Sequence, residues 1–198
     1  MYRELMPFIA LTGFSASAVA QESETTFIAI SEDEQVLRQS LIVDAPLAQV
    51  WARFTTDEGV ASWMAPVGEV DLRSGGAIRT NYDACAAVGD DGGITLDIVN
   101  FVPEQFIILK TDLSANSDAE WMNDAILQRG PDMSNLIEFE ALDEQQTRIT
   151  SWGLGYGTGE DWEQMIAFFS AGNDWSFGQL RRALAGETVY APCADSED

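Results

Sequence analysis

Three pairs of extended, turn-bounded runs follow one another between residues 67 and 156, and a long helical stretch comes after them. Runs 67–73 and 77–83 flank Ser74-Gly75-Gly76, where glycine accepts the positive φ of a tight hairpin. Runs 94–102 and 105–113 flank Pro103-Glu104, and runs 135–142 and 145–156 flank Asp143-Glu144. Residues 158–187 then carry helical periodicity. Consecutive hairpins build an antiparallel sheet, and such a sheet must bury one face. The terminal helix is its natural cover. The expected class is therefore α+β, an antiparallel sheet wrapped around a C-terminal helix.

The segment before the hairpins adds one strand and two short helices. Residues 36–43 have strand composition. Pro46 suits the first turn of a helix, and Val50, Trp51 and Phe54 follow at helical spacing. Thr56 or Asp57 caps a second helix that reaches Trp63. Between the second and third hairpins, residues 118–127 predict a short acidic helix. In the terminal stretch Trp162, Met165, Ile166 and Phe169 form one apolar stripe, and Phe177, Leu180 and Leu184 form a second. Gly172-Asn173-Asp174 separates them and predicts a break, with Trp175 opening the main helix. A continuous helix in which Gly172 leaves room for a ligand is the alternative.

The order Ile42-Val43-Asp44-Ala45-Pro46, Val50-Trp51, Phe54-Thr55-Thr56, Trp63, Pro66 and Asp71-Leu72-Arg73-Ser74-Gly75-Gly76 resembles the opening of a START/Bet v 1-like (SRPBCC) domain. The closest likeness is to the branch named after the activator of the heat-shock-protein-90 ATPase. Ile98-Val99 to Pro103, Thr147-Arg148-Ile149-Thr150, and Phe168-Phe169 with Trp175, Leu180 and Leu184 extend it over residues 35–186. The resemblance implies a helix-grip fold with a cavity between sheet and C-terminal helix. Many relatives carry a histidine near the position of Gly153. This chain contains no histidine, so no role tied to that side chain carries over.

That absence also removes the Ser-His-Asp triad, the Cys-His pair and His-ligated zinc. Acid–base chemistry would fall to carboxylates, tyrosine, the single lysine Lys110 or water. No catalytic constellation, metal site or cofactor motif emerges; Asp118, Glu120 and Asp124 lack calcium-loop spacing. With 33 acidic against 10 basic residues, the chain carries a formal charge of −23. Such a surface repels phosphate backbones and anionic lipid, so nucleic acid and acidic membrane are poor partners.

Residues 1–20 read as an export signal, with Arg3 in a short leader, an apolar run at 8–19, and Ala18-Val19-Ala20 before a cleavage point. The run is too short for stable membrane insertion, and a periplasmic or secreted location follows. Residues 21–34 read as an acidic linker with one short extended piece at 27–30, residues 35–186 as the domain, and 187–198 as a tail. In an oxidising compartment Cys85 and Cys193 are candidates for a disulfide between that tail and the loop after the second hairpin strand.

Candidate cavity residues are Trp63, Met64, Arg79, Asn81, Trp121, Met122, Trp152 and Trp175. Tryptophan and methionine adapt to apolar ligands, and an inward polar strand residue must be paired or contact a ligand. Tyr82 and Asp97 are the candidates for acid–base work, with the solvated face favoured for Asp97 by strand alternation. The leading functional expectation is binding of a small hydrophobic molecule. The alternatives are a cyclase- or hydratase-like enzyme using a cavity carboxylate or tyrosine, and a protein-interaction module of co-chaperone type.

Overall fold

A computed structural model describes residues 23–194 of the chain. The export segment expected at 1–20 lies outside the described residues. Eight strands form one antiparallel sheet: β1 (Glu24–Ala29), β2 (Glu34–Val43), β3 (Val67–Val70), β4 (Ala77–Asn81), β5 (Ile94–Val102), β6 (Phe106–Lys110), β7 (Ser134–Ala141) and β8 (Thr147–Gly157). Strands β3 to β8 follow one another as a meander. β8 then pairs with β2 and β2 with β1, so the spatial order is β1-β2-β8-β7-β6-β5-β4-β3. All three hairpins turn where the sequence places them. Gly75 takes φ 76°, and Glu104 takes φ 58° in the second turn.

Helices α1 (Leu47–Thr55) and α2 (Asp57–Ala61) connect β2 to β3. Pro46 stands one position before the first helical residue of α1, and Val50, Phe54 and Thr55 turn inward. Thr56 caps α2, its Oγ1 accepting from the Gly59 backbone N–H at 3.0 Å. Asp57 is not the cap; its carboxylate accepts from the Val70 N–H at 2.7 Å and ties α2 to β3.

Three sequence expectations change. Residues 24–29, read as linker, pair with β2 from Glu24↔Ser40 to Ala29↔Gln35. As an edge strand β1 buries little, so the composition of this segment resembles a linker while its Thr-Thr-Phe-Ile core is good strand material. The acidic helix expected at 118–127 begins later, as α3 (Asp124–Arg129). Asn123 caps it by accepting from the Ile126 N–H at 3.1 Å, and residues 117–122 remain in turns.

The third change is α4 (Glu160–Leu184), which runs unbroken through Gly172-Asn173-Asp174. The polar pair is used across the fold and not as a cap. Asn173 Nδ2 donates to Gln39 Oε1 at 2.7 Å, and Gln39 Nε2 lies 3.1 Å from Asp174 Oδ1, the Ser170 carbonyl and Thr25 Oγ1. Ser23 also donates to Asp174. Gln39 is fully buried, so this amide locks β1, β2 and α4 together with its own polarity satisfied. Gly172 itself is exposed, and a Cβ there would meet open space.

Buried apolar side chains fall into two clusters. The larger joins the sheet centre (Leu41, Ile78, Ile98, Ile107, Ile149) to α1, α2 and the C-terminal half of α4 through Phe177, Leu180 and Ala183. The smaller joins Leu37, Leu113, Trp121, Ile126, Met133 and Tyr156 to Trp162 and Met165 at the N-terminal half of α4. The two stripes read from sequence are thus real, and each serves its own cluster. Gly157 shows how closely the second is packed: a Cβ there would stand 2.2 Å from Trp162 Nε1. Gly157→Ala should therefore destabilise by about 2–3 kcal/mol in urea unfolding, because a buried ring must be displaced.

Cys85 and Cys193 are joined, with their Cα atoms 4.8 Å apart and a sequence separation of 108. Among the described residues no helix is long and apolar enough to cross a membrane.

Candidate functional site

Where the two clusters meet, they leave a partly open cavity of about 260 Å³ between the sheet and α4. Strand alternation sets its floor. Leu109, Asn135 and Gly153 are register partners across β6, β7 and β8, and Ile137 lies opposite Ser151. Met165, Phe169 and Phe177 of α4 form the roof, about one turn or two apart along one side of the helix. Phe54, Trp63 and Met64 close one end, and Leu113, Met133 and Tyr156 the other. The lining is mostly apolar, and it contains no aspartate or glutamate.

Trp63 is fixed on every side. It is 4% exposed, its Nε1 donates to the Arg53 carbonyl at 2.8 Å, and its ring centre lies 4.9 Å from that of Phe54. Arg53 in turn donates to Ser62 Oγ at 2.8 Å and to the Ala183 carbonyl at 3.1 Å, tying the α1–α2 unit to the end of α4. The tail after α4 then returns across this edge. Val189 packs on the larger cluster, and Tyr190 Oη lies 3.1 Å from the carbonyls of both Trp63 and Met64. The disulfide anchors the tail three residues later.

Desolvation, with a smaller effect from Tyr82, pushes the Tyr190 phenol up to about 12. Folding therefore favours the neutral, donating form. That contribution is complete below the ordinary tyrosine range near 10 and is lost as pH rises through about 12. Ultraviolet titrations of the protein and of Tyr190→Phe should differ by one phenol ionising near pH 12. A difference centred near 10 would show that the tail is solvated at this point.

Polar chemistry inside the cavity is sparse. Ser151 Oγ donates to Asn135 Oδ1 at 3.0 Å. Tyr156 is 7% exposed, and burial pushes its phenol well above the usual range. No described residue forms a hydrogen bond with its hydroxyl. Gly153 is essential to this arrangement, because a Cβ there would stand 2.7 Å from Tyr156 Cε2. The tyrosine ring takes up volume beside the position where relatives were noted to carry a histidine. Lys110 reaches the rim, and its Nζ donates to the Pro131 carbonyl at 2.8 Å.

Of the candidates read from sequence, Trp63 and Met64 line the cavity; the other six do not. Arg79 points outward and pairs with Glu69 at 3.0 Å. Asn81 is buried beneath the loop after β4, where its side chain accepts from the Asp83 N–H at 2.9 Å. Trp121 packs in the smaller cluster against Phe168 and Phe169, at ring distances of 5.6 and 5.4 Å, with Met122 beside that cluster. Trp152 lies on the outer face, donating to Glu138 at 3.1 Å with the Arg38 guanidinium 5.5 Å from its ring centre. Trp175 is 47% exposed and meets Tyr82, which is also half exposed. Asp97 is exposed on the outer face, as alternation favoured. The sequence reading missed Asn135, Ser151, Met133 and Tyr156. For Asn135 a signal existed: alternation along β7 places it on the same face as Ile137 and Phe139, where an unpaired amide is costly.

Residues 44–185 match the family described as Activator of Hsp90 ATPase homolog 1-like protein. No curated protein matches the sequence. Among solved structures, CalU16 from Micromonospora echinospora superposes with TM-score 0.57 at 16% identity, covering 84% of this chain and 86% of that one. A conserved protein of unknown function from Enterococcus faecalis, EF2215, gives TM-score 0.57 at 14% identity over 88% and 82%. The Aha1 dimer from Colwellia psychrerythraea gives 0.54 at 14% identity over 75% and 95%. At these identities the likeness is one of fold.

Proposed function

Because the chain belongs to the Activator of Hsp90 ATPase homolog 1-like family of the SRPBCC superfamily, we propose that it is an exported protein that binds a small hydrophobic molecule between its sheet and C-terminal helix. The observation that carries this reading is the apolar cavity of about 260 Å³ closed by Trp63, Met64 and the α4 side chains. Its volume lies just under the roughly 300–1,000 Å³ usual for ligand pockets, which suits a compact ligand. Binding comes from burying apolar surface, at about 25 cal/mol per Å² before the costs of association. Binding is favoured over catalysis because the walls supply no carboxylate or histidine to move a proton.

Export rests on the signal-like residues 1–20 and gains support from the Cys85–Cys193 disulfide, which persists in oxidising compartments. Fluorescence titration of the purified protein with apolar aromatic probes tests the binding reading. Saturable one-to-one binding, competed by an extract of the source cells, is the expected result. Absence of saturable binding to any probe would remove it. Intact mass of the protein recovered from the source tests export: a mature chain starting at Gln21 is expected, and a full-length cytoplasmic chain would contradict it.

A further inference from the structure

We infer that the cavity selects a neutral ligand bearing a hydrogen-bond acceptor, such as an aromatic ketone, and that Tyr156 and the Ser151–Asn135 pair hold that acceptor. The inference rests on the binding reading above and assigns its chemical class. The Tyr156 ring is almost fully buried, while its hydroxyl keeps accessible surface and has no hydrogen-bond partner among the described residues. Water can serve this hydroxyl in the empty cavity, but a ligand that displaces the water without offering an acceptor leaves it unsatisfied, which is costly. A ligand acceptor satisfies it. Burial keeps this phenol protonated, so it acts as a donor throughout the physiological range.

The second donor lies nearby. The Tyr156 ring edge rests against Gly153, and Gly153 is the register partner of Asn135. Ser151 and Asn135 share one hydrogen bond, Oγ to Oδ1 at 3.0 Å, which leaves the Asn135 NH₂ as donor toward the cavity. If the amide is turned the other way, the Ser151 hydroxyl becomes the free donor. In either orientation the pair presents at least one N–H or O–H.

The charged alternatives are each disfavoured. A cationic ligand finds no carboxylate in the lining to pair with. A carboxylate ligand enters a protein of formal charge −23, which the single lysine at the rim offsets only in small part. A purely apolar ligand leaves both donors unsatisfied. A neutral acceptor is the chemistry that fits all three facts.

Three naphthalenes of one shape separate these classes: acetylnaphthalene (neutral acceptor), ethylnaphthalene (no acceptor) and naphthoate (anion), titrated against the oxidised protein. Ethylnaphthalene partitions better out of water, so a cavity blind to polarity binds it most tightly. The expected result is the reverse, with acetylnaphthalene tighter by about three- to tenfold, the range for one neutral hydrogen bond, and naphthoate weakest. Tyr156→Phe keeps the ring packing and should erase most of the acetyl preference, weakening acetylnaphthalene and tightening ethylnaphthalene, which no longer leaves a hydroxyl without a partner. Asn135→Leu should reduce what remains. Ethylnaphthalene binding as tightly as acetylnaphthalene to the unaltered protein, or a preference that survives both substitutions, would overturn the assignment of the donors while leaving the cavity reading intact. Naphthoate binding tightest would make this an anion site. No binding of any of the three would defeat the cavity reading and this inference together.

Discussion

Reducing the Cys85–Cys193 disulfide should lower the stability of the protein by about 4–5 kcal/mol, the largest single effect expected from any change outside the core. The bridge closes a loop of 108 residues, and the entropy it removes from the unfolded chain grows with loop length. For a chain of this size the corresponding fall in Tm is roughly 8–20 °C. The effect has a local part as well. Once Cys193 is released, Val189 and Tyr190 lose their tether to the loop after β4, and the tail that crosses the Trp63–Met64 edge is held by its own contacts alone. Cys193→Ser, compared with the oxidised protein by calorimetry, should show both parts: a lower Tm and faster hydrogen exchange confined to the tail and residues 82–93. A Tm unchanged on reduction would show that the tail and loop are held without the bond.

Replacing Trp63 by alanine should cost about 3–5 kcal/mol and abolish binding of aromatic probes. The ring is buried against Phe54, closes one end of the cavity, and satisfies the Arg53 carbonyl through Nε1. Alanine removes the packing, leaves that carbonyl short of its partner, and opens the end of the cavity that the ring closes. Trp175→Ala provides the control. That side chain is half exposed, does not line the cavity, and meets the ring of Tyr82, which is itself half exposed, so its loss should stay within about 1 kcal/mol. Urea unfolding of the two variants, with probe titration of each under native conditions, reads both effects. Equal destabilisation by the two substitutions would contradict the placement of Trp63 at the heart of the fold.

Much of the architecture was legible because it is written in local chemistry. Ser74-Gly75-Gly76, Pro103-Glu104 and Asp143-Glu144 punctuate the hairpins, and Thr56 marks the start of α2. What escaped depends on partners far away in sequence. β1 is an edge strand whose pairing depends on the exposed side of β2, so its own composition says little. Gly172-Asn173-Asp174 carries all the local marks of a helix break, and Gln39, more than a hundred residues earlier, overrides them by hydrogen-bonding Asn173 and Asp174 in place.

The site divides along the same line. A tryptophan beside a short helix end is a costly residue, and that is the signal that marks Trp63 and Met64, both of which line the cavity. Trp152 and Arg79 were misplaced because the parity of a strand depends on its pairing: Trp152 shares the outer face with Arg38 and Leu136, its register partners. Trp121, a cavity candidate from sequence, lies in the turns before α3 and packs on Phe168 and Phe169 of α4. Tyr156 gave no signal at all. It lies inside a strand of ordinary composition, and its significance comes from its place in the cavity wall and from Gly153 making room for its ring.

The most direct test of ligand binding is a native mass spectrum of the protein purified gently from its source with the disulfide intact, followed by a spectrum of the same sample denatured. The account predicts an additional neutral mass, bound one to one, released on denaturation and absent from Trp63→Ala. A chain that is empty in the native spectrum, and stays empty after incubation with acetylnaphthalene and ethylnaphthalene, would contradict it.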